Sequence, residues 1–211
     1  MTAWTPPTPE ERRIYWDERY TADEGVFGVE PNRFVAEHLA GLPPCRALDL
    51  GSGQGRNAVW LASRGHEVTA VDLSAVAASQ GRELARAAGV DVDFVTADLT
   101  TWEPEPGAYD LVLLSYLQLV PEQRRIVHSR AVDALAEGGT VFLIAHHLDN
   151  LEHGIGGPQI PDVLFTEEVL AGDFARLEVE RLEKVLRPAE RDGQSGSAID
   201  VLLVARRPRS T

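Results

Sequence analysis

The N-terminal forty residues read as helical. Thr5-Pro6-Pro7-Thr8-Pro9 cannot hold a regular ladder, but Thr8 before Pro9, with Glu11 three residues on, has the form of a capped helix start, and the first helix is predicted to run to about Tyr20. A second helix start at Pro31 carries Phe34, Val35 and Leu39 before Gly41 and Pro43-Pro44 stop it. Beyond that the pattern changes to short apolar runs separated by amphipathic stretches, as in a parallel sheet crossed over by helices. The runs are 47–50, 68–71, 92–97, 111–114 and 141–145. Between them lie helix candidates at 57–64 closed by Gly65, 75–88 opened by Ser74 and closed by Gly89, and 122–137 opened by Pro121 and closed by Gly138. The last third reads as a long loop over 148–165, a short helix from Thr166, and two β-rich segments, 176–186 and 199–205. Residues 188–198 between those segments are rich in Gly, Ser and charge, so an antiparallel hairpin is expected. The fold class that follows is α/β: a Rossmann-like, doubly wound seven-stranded sheet, mostly parallel, with a C-terminal antiparallel hairpin.

Successive apolar runs end in polar groups: Asp49 within Ala-Leu-Asp-Leu, Asp72 after Val71, Asp98 after Ala97, Ser115 after Leu114, and His146-His147 after Ala145. One such residue is what any strand shows where it meets water, but five in register point to the ligand crevice at the carboxyl ends of an open parallel sheet. The first end continues as Gly51-Ser52-Gly53-Gln54-Gly55-Arg56-Asn57, a glycine-rich turn leading into a helix whose N-terminus offers free N–H groups. Asp72 follows Asp49 by roughly twenty residues, the separation at which such folds set a carboxylate against ribose hydroxyls. A nucleoside-like ligand is implied. A dinucleotide fingerprint needs glycine at the first, third and sixth positions, and the sixth position from Gly51 is Arg56. A carboxylate at Asp49 also suits an ammonium group and not a pyrophosphate, and no Gly-Lys-Ser or Gly-Lys-Thr is present for a Walker loop. A nicotinamide-dependent oxidoreductase is the lesser enzyme reading for that reason.

Leu48-Asp49-Leu50-Gly51-Ser52-Gly53-Gln54-Gly55-Arg56-Asn57 resembles the first motif of class I S-adenosylmethionine-dependent methyltransferases, and the order of elements over about 16–205 is similar to that fold. Gln54-Gly55-Arg56-Asn57 resembles in particular the tellurite-resistance and thiopurine methyltransferase-like group of small-molecule enzymes, and Phe165-Thr166-Glu167-Glu168-Val169-Leu170 is similar to that group as well. The resemblance implies S-adenosylmethionine as cofactor, with S-adenosylhomocysteine as product. Asp49 and the backbone of Gly51, Ser52, Gly53 and Gly55 would hold its methionine portion, Asp72 the ribose hydroxyls and Asp98 with Leu99 the adenine, with Ser115 beside the methionyl end. Tyr20, Asn57 and Leu73 complete the expected cofactor set. It further implies an N-terminal lid over 1–40 on a catalytic core over 41–206, the whole chain forming one methyltransferase domain.

Substrate candidates are Trp16 and Phe27 in the aromatic N-terminal segment, Arg33 and Arg56 as anion partners, Tyr116 after the fourth strand, and His147. His146 is the candidate general base, since a near-neutral imidazole can take a proton from a hydroxyl, amine or thiol. An already ionised or soft acceptor needs no base. No metal site is expected, because the histidines lack mixed thiolate or carboxylate ligands at recognisable spacing.

Composition narrows the partners. The chain has 211 residues, 44 % hydrophobic and 25 % charged, the balance of one globular domain. Its net charge of −13 disfavours nucleic acid, and the acceptor is expected to be a small molecule, a thiol or a selenium or tellurium oxyanion being the class the resemblance favours. The longest apolar run, 111–120, is interrupted by Ser115 and Gln118 and is too short for the roughly 20 residues of a membrane span. No basic stretch followed by an apolar one opens the chain, and a single cysteine, Cys45, fits a reducing compartment, so the cytoplasm is the default location. The sequence leaves the oligomeric state open, and an intact pocket is equally compatible with a cofactor-binding regulatory module that has lost turnover.

Overall fold

The computed structural model describes residues 6–22, 28–191 and 193–209. The chain divides into two compact units, Met1–Trp102 and Glu103–Thr211.

The first unit opens with α1 (Pro9–Ala22), started by the predicted capping box. The Glu11 carboxylate accepts from Thr8 N–H at 2.7 Å, and the Thr8 hydroxyl accepts from Glu11 N–H at 3.2 Å. The second helix, α2 (Arg33–Leu39), starts later than Pro31, because the Asn32 side chain takes the N-cap and accepts from Phe34 N–H. Then β1 (Arg46–Leu50), α3 (Arg56–Ser63), β2 (Glu67–Asp72), α4 (Ala75–Ala88) and β3 (Asp93–Thr96) follow in βαβ order. Both pairs, β1–β2 and β2–β3, are parallel. Ser74 caps α4 and Gly89 closes it in the left-handed region, as the pattern predicts. Ala47, Leu48, Leu50, Val71, Ala58 and Leu61 form the buried core beneath the strand ends.

The second unit contains β4 (Tyr109–Ser115), α5 (Pro121–Ala134), β5 (Leu135–His146), α6 (Asn150–His153), α7 (Glu167–Asp173), β6 (Glu178–Arg191) and β7 (Gln194–Arg206). Three predictions are corrected here. The helix expected over 122–137 stops at Ala134, because Leu135 pairs with Tyr109 and the Gly138 N–H donates to the Arg207 carbonyl, so tertiary pairing takes the last turn into β5. Residues 188–198 are not a loop: β6 and β7 stay paired from Glu178↔Arg206 to Arg191↔Gln194. Pro188 is tolerated because β6 is the edge strand, where a missing N–H breaks no interior ladder. The segment 148–165 is not structureless, since it holds α6 and a 3₁₀ turn, Pro161–Val163, and its end is tied back by a bridge between His147 and Phe165.

The seven strands have the order β3-β2-β1-β4-β5-β7-β6. Pairing is parallel at β4–β5 and antiparallel at β5–β7 and β6–β7, giving the mostly parallel Rossmann-like sheet with an antiparallel C-terminal hairpin.

Candidate functional site

In the first unit the turn after β1 is folded by backbone bonds. Gly51 and Ser52 N–H donate to the Val71 carbonyl at 2.8 and 3.1 Å, and Gly55 N–H donates to Ser52 O. Gly53 needs to be glycine on two grounds. Its φ is +55°, and a Cβ there would lie 2.5 Å from the Tyr20 hydroxyl. Its N–H donates to Asp72 Oδ2 at 2.7 Å, while Asp72 Oδ1 accepts from Ser74 N–H at 2.9 Å. Burial pushes the Asp72 carboxyl up, against the pull of those N–H groups and of Leu73 N–H. Each carboxylate oxygen has two acceptor positions, so Asp72 keeps capacity for hydroxyl donors.

Asp49 is the anomaly of this unit. It is 0 % exposed, and neither carboxylate oxygen has a hydrogen-bond partner. Burial, then the charge of Asp72, pushes its carboxyl up to about 7, with Arg56 opposing. The Ser52 hydroxyl is likewise buried without a partner. Buried polar groups are nearly always satisfied, so these three oxygens beside a glycine turn mark a place built for a polar, cationic group. The ammonium and carboxylate of an amino-acid portion fit that donor and acceptor set.

The other expected residues are distributed as follows. Asp98 Oδ2 meets the Arg12 guanidinium of α1 at 3.0 Å, and its Oδ1 accepts from Thr100 N–H and hydroxyl. Leu99 is buried beside it. Asp17 of α1 accepts from the Ser74 hydroxyl at 2.6 Å, and the Tyr20 carbonyl accepts from Gln80, which in turn accepts from Gln54. Trp16 stacks on Tyr20 at 5.8 Å. Helix α1 is thereby fastened along the acidic ends of β2 and β3. The Asn57 side chain accepts from Asn32 N–H and so braces α2. Arg33 is exposed and paired with Glu37, and Arg56 sits partly exposed at the first turn of α3. Phe27 lies outside the described residues. Arg12 and Asp17, which the sequence reading missed, carry no motif that would have marked them. Arg12→Ala is expected to free α1, seen as several-fold faster chymotryptic cutting within 9–22; an unchanged rate means that the Asp98 pair does not hold the helix.

In the second unit Ser115 ends β4 and Tyr116 follows it with φ +55°, the one positive-φ non-glycine residue among those described. His146 closes β5 and is 8 % exposed. Its Nδ1 lies 2.9 Å from Oδ1 of Asp200, a residue the sequence reading missed although it is the lone charge in the apolar run 198–205. His147 turns elsewhere: Asp149 N–H donates to its Nδ1, and its Nε2 donates to Glu167 at 2.9 Å. Both ring nitrogens are spent inside the fold.

Residues 47–139 match the family described as Methyltransferase domain. The ubiquinone biosynthesis O-methyltransferase of Idiomarina loihiensis is 33 % identical over 111 residues, 52 % of this chain and 45 % of that protein. The tRNA 5-carboxymethoxyuridine methyltransferase of Escherichia coli is 28 % identical over 146 residues, 66 % of this chain and 54 % of that one. The chain thus spans about half the length of these curated relatives. The N-methyltransferase NodS of Bradyrhizobium japonicum, solved with S-adenosylhomocysteine, superposes with a TM-score of 0.72 at 16 % identity, covering 93 % of this chain and 98 % of that one. Residues 47–139 are thus similar to a methyltransferase domain, and the chain shares the fold of the solved NodS.

Proposed function

We propose that this chain is an S-adenosylmethionine-dependent methyltransferase whose acceptor is a small molecule, and that it works as a single domain with its N-terminal helical segment as cover. The observation that carries the reading is the sealed, unpartnered Asp49 carboxylate within the glycine turn, which an amino-acid ammonium would satisfy.

When bound, the cofactor supplies an electrophilic methyl group on a sulfonium. Asp49 pairs with the ammonium, and the Ser52 hydroxyl donates to the carboxylate, while the N–H groups of Gly51, Ser52, Gly53 and Gly55, expected to hold that portion, are spent within the fold. Asp72 accepts from the ribose hydroxyls through its remaining lone pairs, and Leu99 with Asp98 borders the adenine. The stacked Trp16 and Tyr20 offer aromatic faces suited to a cation, and α1 excludes water from the reacting groups. Alignment of an acceptor with the methyl–sulfur bond supplies most of the rate, without a covalent intermediate on the protein. The net charge of −13 supports a small acceptor over a polyanion, with the soft class, thiols and selenium or tellurium oxyanions, first among those to try. Among the described residues no helix is long and apolar enough to cross a membrane.

Calorimetry is expected to show binding of S-adenosylmethionine and S-adenosylhomocysteine and none of NAD. Tight NAD binding alone would overturn the cofactor. Transfer of radiolabelled methyl to thiols, catechols, selenite and bulk tRNA then separates the acceptors. Labelling of tRNA alone defeats the small-molecule reading, and cofactor binding without turnover on any acceptor identifies a regulatory module.

A further inference from the structure

On the methyltransferase reading above, we propose that Arg12 of α1 is a positioning residue for base recognition: it holds the Asp98 carboxylate with one acceptor position left open, which reads the exocyclic amino group of adenine.

The sheet of the first unit brings two acidic strand ends together. The parallel register of β2 and β3 pairs Asp72 with Thr96, and Ala97 N–H donates to the Asp72 carbonyl at 2.9 Å, so Asp98 leaves the sheet one strand over from Asp72. The backbone of Asp98 is then pinned, because its carbonyl accepts from Trp102 N–H at 2.8 Å and from the Thr101 hydroxyl at 3.2 Å. With the ribose on Asp72, the neighbouring strand end is the place of the base.

The acceptor positions of Asp98 can be counted. Thr100 takes both on Oδ1, through its N–H at 2.9 Å and its hydroxyl at 2.8 Å. Arg12 Nη2 donates to Oδ2 at 3.0 Å. A carboxylate has roughly four such positions, so the one left lies on the oxygen that Arg12 holds. Donors on both oxygens stop the carboxylate from turning. An acceptor with one fixed opening selects a single N–H donor, which adenine supplies from its 6-amino group. Hypoxanthine has a carbonyl oxygen at that position, and a carboxylate repels it.

Fastening of α1 does not account for the depth of this pair. The helix has two further ties, Asp17 to the Ser74 hydroxyl and the Tyr20 carbonyl to Gln80. The Arg12 and Asp98 side chains are only 13 % and 16 % exposed, and drawing both ions that far out of water costs more than a rim pair returns. Arg13 shows the ordinary behaviour of an arginine on this helix: its side chain is 42 % exposed and pairs with Glu10 and Asp17 on α1 itself. Arg12, next to it, turns inward to a carboxylate 86 positions away. Ser74, which α1 holds through Asp17, also donates its N–H to Asp72. One helix therefore sets the base carboxylate directly and braces the turn beside the ribose carboxylate.

Competitive calorimetry with S-adenosylhomocysteine and S-inosylhomocysteine separates recognition from fastening. The wild type is expected to prefer the adenine compound by about thirtyfold or more. In Arg12→Met, which keeps a long stem without the charge, S-adenosylhomocysteine is expected to bind about tenfold more weakly and S-inosylhomocysteine to change by less than about twofold. Arg12→Lys is expected to recover most of the preference. Asp98→Asn, whose carboxamide can donate to the hypoxanthine oxygen, is expected to abolish it. A preference that does not fall in Arg12→Met overturns the proposal, and an equal loss for both ligands shows that the pair only fastens α1. In the wild type, side-chain nitrogen-15 NMR is expected to show the Arg12 guanidinium protected from exchange both without ligand and saturated with S-adenosylhomocysteine. Loss of that protection on binding means that Arg12 has left Asp98, and it overturns the proposal even where a variant fails to fold. Failure of the wild type to bind either compound overturns the methyltransferase reading, whereas equal binding of both overturns the base recognition alone.

Discussion

Asp49→Asn is expected to raise the melting temperature of the ligand-free protein at pH 8.5 by about 5–10 °C and, in the same variant, to weaken S-adenosylhomocysteine binding roughly ten- to a hundredfold. The stability gain follows from burial. In the folded chain the Asp49 carboxyl is pushed up from 3.8 to about 7, by burial first and the Asp72 charge second. A folded-state value above the unfolded one means that the native state binds the proton more tightly. Stability from this group is therefore present below about pH 4, and it is lost as pH rises through about 7. The full difference is worth about 4 kcal/mol, of which a buried asparagine, itself poorly partnered, recovers a part. At pH 4 the wild type and the variant should melt within a few degrees of each other. Binding has the opposite dependence, because the ammonium needs the carboxylate ionised. Wild-type affinity should rise between pH 5.5 and 7.5 with release of a proton, seen as a buffer-dependent enthalpy, and the asparagine variant should lose that dependence. Equal affinity in the folded variant removes Asp49 from the cofactor site.

Asp173→Ala should cost about 3–5 kcal/mol, a fall of about 10 °C or more in melting temperature. Asp173 Oδ2 lies 2.7 Å from Arg124 Nε and 2.9 Å from His128 Nδ1, and this trio joins α5 to α7 inside the second unit. Arg124 and His128 are 7 % and 2 % exposed, so removing the carboxylate strands a buried guanidinium with no counter-ion. Burial raises the Asp173 carboxyl, but hydrogen bonds and charge from His128 and Arg124 together pull it below 3.8, so its contribution is lost only as pH falls below about 4. Burial depresses His128 below 6.5, so acidification from about pH 6.5 already weakens the fold through that ring. Removing both charges in Arg124→Met/Asp173→Leu should destabilise less than Asp173→Ala alone, because no uncompensated ion remains. Thermal melts at pH 7 and pH 5 check both statements. If the double variant is the less stable of the two, the desolvation argument fails.

Local patterning made some features legible. The Thr8–Glu11 box, the Ser74 and Gly89 caps, the five parallel strands and the glycine turn after Asp49 each depend on residues within a few positions of one another. The same holds for the place of Asp49 and Asp72 at strand ends, which needs only the apolar runs that precede them. The ends of α5 and β6 were misread because Leu135 and Pro188 take their conformation from partners 26 or fewer positions away at Tyr109 and Ser197, and propensity carries no record of those pairings. Which polar groups meet was still less accessible. Arg12 finds Asp98 across 86 positions and Tyr116 finds Asp200 across 84, each through contacts no local period encodes.

The sequence by itself therefore determined the α/β class, the glycine turn and the acidic strand ends, since steric and hydrophobic periodicity act over a few residues. Tertiary structure alone decided that Asp49 would be sealed without a partner, that His147 would be consumed by Asp149 and Glu167, and that His146 would lie against Asp200. Those outcomes depend on desolvation and on which distant strands lie side by side, and both quantities exist only once the chain has closed on itself.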